Sequence, residues 1–265
     1  IEVFRSLVFP DFVAFYKEDL KGYKLTEDDY QVVDEITGKK MVWIQKDKVK
    51  DFWIKGMSPA EYIGEAIKYI AVREVSDIMD YNDINKYVEK VIETNSFLVD
   101  NIIPDFITAS DLKYLLTCLI RERVSVKNIV YIFEKINDYA NEPTKEDLLD
   151  KVRLALSKHI IKDLAENNEL KVIEFSDETL DKIYSFFKED EDEAIVRIEA
   201  NDVQDIVDRI GKFAKSKKIE NPILVVPMDI RHMVFVILAE FVRNITVLAH
   251  EELVSDYNIK FVGKV

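Results

Sequence analysis

The clearest structural signal in the chain is residues 112–140, which read LKYLLTCLIRERVSVKNIVYIFEKINDYA. Apolar residues recur at the spacing of amphipathic helices in two stripes, which are Leu112, Leu115, Leu116, Leu119 and Ile120, then Val126, Ile129, Val130, Phe133 and Ile136. Arg121, Glu122 and Arg123 separate the stripes, and Ser125 is placed to cap the second helix. The pattern predicts a helical hairpin whose two apolar stripes bury each other.

The composition is that of a chain able to build a large core. Of its 265 residues, 48% are hydrophobic, enough for one large domain or for two to three small ones. The net charge of -14 argues against nucleic acid or an anionic membrane surface as a general partner, because both favour a basic face. We therefore expect basic or locally basic protein partners. The lone Cys118 lies on an apolar stripe, which predicts a buried hydrophobe rather than a reactive thiol.

The pattern of elements changes twice along the chain. Residues 1–56 mix short strand candidates (1–8, 12–16, 30–33 and 41–44) with turns, which indicates a partial α/β region. Residues 57–168 are helical, opened by the capping box Ser58-Pro-Ala-Glu61, and similar caps at Thr108 and Thr144 predict about five helices. Residues 169–265 alternate strands and helices. The sequence thus predicts an α+β multi-subdomain fold with a partial α/β N-terminal region, a central helical bundle and a C-terminal α/β subdomain.

The C-terminal region carries five predicted strands, at 170–175, 194–200, 223–226, 245–249 and 259–262. Helical stripes of apolar residues separate them. The acidic run 189–193 is expected to be a solvated connector.

The sequence predicts no membrane segment within this chain. Its longest nearly uncharged apolar runs, 222–228 and 233–239, are much shorter than the ~20 residues of a spanning helix. The chain also opens directly in strand-like residues, without an initiator methionine or a signal-peptide pattern. We therefore expect a fragment of a longer protein.

Motifs for catalysis or for a cofactor are not found. The six glycines never cluster into a phosphate-binding loop. His159, His232 and His250 are widely separated and form no metal-binding pair, so we expect surface or strand-end histidines. We predict no enzyme activity, no metal and no cofactor.

Several ordered motifs resemble one known family. RERVSVKNI at 121–129 is followed by IFE at 132–134 and DLLDKVRLALS at 147–157, and then by NPILVVP at 221–227, DIR at 229–231 and ITVLAHEEL at 245–253. Together these motifs resemble the cytoplasmic domain of the large export-gate protein of type III secretion, in the flagellar/HR/invasion protein export pore family. The resemblance covers roughly residues 30–265.

The resemblance implies a binding and assembly module. Such a domain is expected to dock export chaperone-substrate complexes and other secretion-apparatus components, namely the ATPase complex and sorting proteins. It is expected to form a homo-oligomeric ring, commonly a nonamer, at the cytoplasmic face of the bacterial inner membrane, with a transmembrane region upstream. Flagellar and virulence injectisome systems share these motifs, and we favour the flagellar one. Two alternatives stay open: a structural helical adaptor, and an enzyme built on the C-terminal α/β domain.

The resemblance also implies where chaperones dock. In the family they lie in a groove near an aspartate that precedes a glycine and a Trp-Ile pair, and the matching residues here are Asp34, Gly38, Trp43 and Ile44. We expect Asp34 on the surface, at the edge of a shallow apolar groove formed with strand 41–44. A core position is the alternative for Trp43.

Overall fold

The computed structural model describes residues 2–3, 6–34, 38–50, 52, 54–186 and 200–265. The chain divides into two compact units, Ile1–Ile78 and Met79–Val265.

The N-terminal unit is built on a small antiparallel sheet. Strands β1 (Glu2–Val3) and β2 (Ser6–Leu7) pair with each other, and β3 (Phe12–Tyr16), β4 (Tyr30–Val33) and β5 (Lys40–Gln45) form a sheet in the order β3-β5-β4. A 3-10 turn (Lys46–Val49) and helices α1 (Pro59–Arg73) and α2 (Val75–Ile78) follow. The central strand β5 is apolar on both sides, because each face of the sheet has its own hydrophobic cluster. The predicted strands at 12–16, 30–33 and 41–44 are confirmed.

Helix α1 begins at the capping box that the sequence predicts. Glu61 N donates to Ser58 Oγ across 3.3 Å, and Ser58 N donates to Glu61 Oε2 across 2.8 Å. Proline at the first helical position fits because its missing N–H has no helical acceptor there. The predicted caps at Thr108 and Thr144 are present as well.

The first half of the C-terminal unit is helical. It consists of α3 (Tyr81–Asp100), α4 (Ala109–Arg121), α5 (Ile129–Tyr139) and α6 (Lys145–Leu164), together called the helical part. The prediction that α4 and α5 mainly bury each other is wrong, because each packs on α3 and α6 more closely than on the other. Four amphipathic helices bury their single stripes most fully when each contacts two neighbours.

The prediction that Ser125 caps the second helix of this hairpin is also wrong. Asn128, not Ser125, is the N-cap of α5, and its Oδ1 accepts from Tyr131 N across 3.4 Å. Asparagine caps as well as serine does and stands directly before the apolar run. Ser125 instead accepts from Lys127 N within the preceding turn.

The second half of this unit is the α/β part. Its elements are β6 (Glu169–Glu174), α7 (Asp177–Ser185), α8 (Ala200–Lys217), β7 (Ile223–Val226), α9 (Met228–Ala239), β8 (Thr246–Ala249), a 3-10 turn (His250–Glu252) and β9 (Asn258–Lys264). The strands form a parallel sheet in the order β8-β7-β6-β9. A hydrophobic cluster joins one face of it to α7, α8 and α9. The predicted strand 194–200 and the acidic run 189–193 lie outside the described residues, apart from Ala200, which opens α8.

The α+β multi-subdomain fold is confirmed. The three-part division at 56/57 and 168/169 stays a prediction, since contacts group α1 and α2 with the N-terminal sheet. Among the described residues, none of the helices has the length and apolar content needed to cross a membrane.

Candidate functional site

Asp34 closes the loop between β4 and β5. Its backbone N–H donates to Lys39 O across 2.9 Å, and its carbonyl accepts from Gly38 N across 2.7 Å. Gly38 has φ of +64°, a left-handed conformation that glycine adopts without strain. The Asp34 side chain points inward, where Oδ1 accepts a hydrogen bond from Tyr62 Oη of α1 across 2.7 Å. Asp34 is only 1% exposed, so the expectation that it lies on the surface is wrong.

Trp43 and Ile44 occupy opposite faces of β5, as successive residues of a strand must. Both side chains are fully buried. The Trp43 ring packs edge-on against Tyr62, with ring centroids 5.6 Å apart, whereas Ile44 joins the cluster on the other face. The structure therefore brings Asp34 and Trp43 to a shared neighbour, Tyr62, and places Ile44 elsewhere. Of the four predicted docking residues, Gly38 alone is exposed.

A second constellation lies in the C-terminal unit, where six ionisable side chains meet and four of them are fully buried. Its members come from the C-cap of α4, from α6 and α9 and from the 3-10 turn, and they are Glu122, Asp150, Arg153, Arg231, His232 and Glu252. We call this group the ionic cluster. The side chains of both arginines and both glutamates are at most 2% exposed. Ions buried to this extent must compensate one another, because taking an unpaired charge out of water is very costly.

Arg231 of α9 binds two carboxylates of the helical part. Its Nη1 donates to Glu122 Oε2 across 2.6 Å, while Nε and Nη2 donate to Asp150 Oδ1 across 3.1 and 2.8 Å. Burial raises the pKa of the Asp150 carboxyl, and the neighbouring Arg231 only partly offsets this. Nε, Nη1 and Nη2 of the planar Arg231 guanidinium thus all donate to carboxylate oxygens.

Arg153 of α6 joins the same cluster from the opposite side. Its Nη2 donates to Glu252 Oε2 across 3.3 Å, and Glu252 Oε2 also accepts from Ala249 N across 2.8 Å. Arg153 Nη1 lies 2.6 Å from Glu122 Oε2, a close ion pair without the angle of a hydrogen bond. Glu122 is thus the shared anion of both arginines.

The environment of Glu122 sets its charge state. Burial alone would raise its pKa, but Arg153, the His232 hydrogen bond and Arg231 together lower it to about 2. His232 Nδ1 lies 3.0 Å from Glu122 Oε1, and its Nε2 lies 3.3 Å from Tyr114 Oη. The expectation of a surface or strand-end histidine is therefore wrong for His232, which bridges the cluster and α4.

Cys118 lies one turn before Glu122 on α4. Burial, with a contribution from Glu122, raises the pKa of its thiol to about 11. The side chain is half-buried, so the burial predicted for it is only partial, and its low reactivity stays a prediction.

The family motifs meet at the ionic cluster and its rim. From the RER motif, Arg121 pairs with Glu240 across 2.6 Å, Glu122 enters the cluster, and Arg123 donates to Asn244. The motifs at 147–157, 229–231 and 245–253 supply the remaining members of the cluster except His232, which directly follows the second of them. Sequence reasoning missed this convergence, although a signal was present. Arg153 and Arg231 each occupy a position on an otherwise apolar helical stripe, and a cation there predicts a buried acidic partner.

The described histidine, cysteine and carboxylate side chains were compared with the geometry of a metal site. Among the residues that the structure describes, no three or more histidine, cysteine, aspartate or glutamate side chains are placed to hold a metal ion. His250 at the end of β8 lies 3.4 Å from Glu174 at the end of β6, but both side chains are partly exposed. The charged and polar contacts of both constellations join separate elements of the fold.

The model of the FHIPEP family matches residues 1–258 of this chain. The chain therefore belongs to the FHIPEP family. The recognition made from the sequence, the cytoplasmic domain of the type III secretion export-gate protein, is thereby confirmed.

Individual members of this family are similar to the chain in sequence or in fold. Flagellar biosynthesis protein FlhA of Bacillus subtilis is 26% identical over 250 residues, which are 90% of this chain and 37% of FlhA. The chain thus spans about a third of the length of the curated relatives that it matches. Nonameric SctV-C of EPEC shares the fold with a TM-score of 0.72 and 16% identity, covering 98% of this chain and 79% of SctV-C. CdsV of Chlamydia pneumoniae, in a complex with CdsO, has a TM-score of 0.75 and 18% identity, covering 97% of this chain and 76% of CdsV.

Proposed function

We propose that this chain docks export substrates with their chaperones and forms a ring beneath the membrane channel of a type III secretion system, at the cytoplasmic face of the bacterial inner membrane. The observation that carries the proposal is the family match over residues 1–258. A flagellar system is favoured because FlhA proteins are among the relatives, whereas a virulence injectisome is the alternative.

The proposed ring is a nonamer, and the ATPase complex and sorting proteins are further proposed partners. The nonameric SctV-C of EPEC supports the ring, and the complex of CdsV with CdsO supports the binding of a further protein. The ATPase complex and sorting proteins rest on the family resemblance. The net charge of -14 opposes association of free copies at low salt, so we expect assembly to depend on tethering at a membrane. We propose no catalytic turnover, because the role requires only binding.

The burial of Asp34, Trp43 and Ile44 refines the proposed docking site. These side chains can shape a surface but cannot contact a partner without moving. The accessible neighbours are on β4, at the edge of the sheet, where Tyr30 and Val33 are 46% and 52% exposed. Tyr30 and Val33 are three residues apart on the strand and therefore face opposite sides of the sheet. We propose that the loaded chaperone docks along this edge, on the side of Val33 and beside the exposed Gly38.

Titration of the chain with a chaperone carrying its export cargo tests this assignment. Val33→Asp places a charge on the proposed surface and should weaken binding by about tenfold or more, which corresponds to ~1.4 kcal/mol. The matched control is Ile67→Asp, at an equally exposed apolar position on α1 of the same unit, and its affinity should stay within about twofold of the parent. Unchanged binding by Val33→Asp, at a parental melting temperature, would remove β4 from the docking site.

A further inference from the structure

The ionic cluster lies where the two parts of the C-terminal unit meet. The closest backbone approaches between the helical part and the α/β part are those of α6 to α9 and of α6 to the 3-10 turn at His250–Glu252. Asp150 and Arg153 are on α6, Arg231 is on α9, and Glu252 is in the 3-10 turn. The buried ions therefore occupy the boundary itself and not the centre of either part.

The charges alternate across this boundary. Arg231 of the α/β part binds Glu122 and Asp150 of the helical part, and Arg153 of the helical part binds Glu252 of the α/β part. Each part thus supplies a guanidinium whose carboxylate partner belongs to the other. Rotation or sliding of one part would separate these pairs and leave buried charges uncompensated.

Directionality distinguishes this contact from apolar packing. Apolar contacts tolerate sliding because burial of apolar area has no direction, whereas a guanidinium holds its acceptors in a planar fork. The fork of Arg231 fixes α9 relative to the end of α4 through Glu122 and relative to α6 through Asp150. Three helices are oriented by one side chain.

We propose that the ionic cluster is a clamp that sets the orientation of the helical part relative to the α/β part and makes them a single rigid body. Replacement of Glu122, the anion shared by both arginines, should release the clamp. Each part would then keep its own secondary structure, because the hydrophobic cluster on one face of the sheet is formed by the α/β part alone.

Distance measurement between two spin labels tests the clamp. Labels are attached to cysteines introduced at two exposed positions, Glu93 on α3 and Lys215 on α8, in a Cys118→Ala background. The parent should give one narrow distance distribution. Glu122→Gln, which keeps the size of the side chain and removes its charge, should at least double the width of that distribution while the far-ultraviolet circular dichroism is unchanged.

A matched control breaks a pair that joins the same parts on the surface. Lys158 of α6 lies 3.0 Å from Asp256, and both side chains are exposed, so Asp256→Asn should leave the distribution narrow. Should Glu122→Gln fail to fold, Asp150→Asn takes its place, because Asp150 is the more exposed carboxylate of the cluster. A parental width in the folded cluster variant, or equal broadening in Asp256→Asn, would overturn the proposal.

Discussion

Replacing Asp34 with alanine should destabilise the N-terminal unit. The Tyr62 hydroxyl donates to Asp34 across 2.7 Å, and both residues are at most 3% exposed. The substitution removes this acceptor from a buried donor, which costs ~1–3 kcal/mol. A loss of that size lowers the melting temperature of a small domain by about 4–8 °C for each kcal/mol. An aspartate on the surface, as the resemblance implies for Asp34, would instead lose only ~0.5 kcal/mol or less on this substitution.

Urea unfolding followed by tryptophan fluorescence measures this loss. The fully buried Trp43 reports the unfolding of this unit, and neither tryptophan of the chain occurs in the sequence beyond residue 78. The control is Tyr62→Phe, which removes the donor and keeps the ring. Because the two side chains share the hydrogen bond, the double variant should be about 0.5 kcal/mol or more milder than the sum of the single variants. An Asp34→Ala chain within about 0.5 kcal/mol of the parent, or strict additivity of the two changes, would refute the reasoning.

Three further predictions concern single side chains. Trp43→Ala should cost ~3–5 kcal/mol because the ring is fully buried. Trp43→Phe should cost clearly less, since the indole N–H has no hydrogen-bond partner among the described residues, and urea unfolding compares the two variants. The pKa of Glu122 is lowered from an ordinary 4.5 to about 2 in the folded chain, so the stability that its charge contributes is present above pH 4.5 and is lost as the pH falls toward 2. The denaturation midpoints at pH 3 and pH 6 should therefore differ more for the parent than for Glu122→Gln. The Cys118 thiol, with a pKa raised to about 11, should react with a thiol reagent at pH 8 far more slowly in the native chain than in urea, and equal rates would contradict the protection of this thiol by the fold.

Local sequence signals were sufficient for most of the elements. The capping boxes at Ser58 and Thr108 and the alternating strand patterns are local, so they could be identified without knowledge of the fold. The helix that packs against each apolar stripe could not be identified from the sequence. An amphipathic stripe shows that one face of a helix is buried but not which neighbour buries it. The pattern therefore pairs α4 with α5, whereas in the structure both pack on α3 and α6.

The burial of Asp34 shows the same limit at the candidate site. An aspartate beside a turn is usually exposed, and only the position of Tyr62, 28 residues further along the chain, draws it inward. The contacts of the ionic cluster that join the helical part to the α/β part link residues 81 to 110 positions apart, such as Arg231 with Asp150 and His232 with Glu122. Its members were visible in the motifs, whereas their convergence required the fold.

The proposed ring assembly is the central functional claim, and membrane tethering tests it most directly. The chain, attached at high density to lipid layers through a terminal tag, is imaged by electron microscopy, and its association in solution is followed with increasing salt. The account predicts closed rings of nine copies on the lipid, together with solution association that grows with concentration and salt as the charge of -14 is screened. Single copies on the lipid at every density, with no growth of oligomers at high salt, would contradict it.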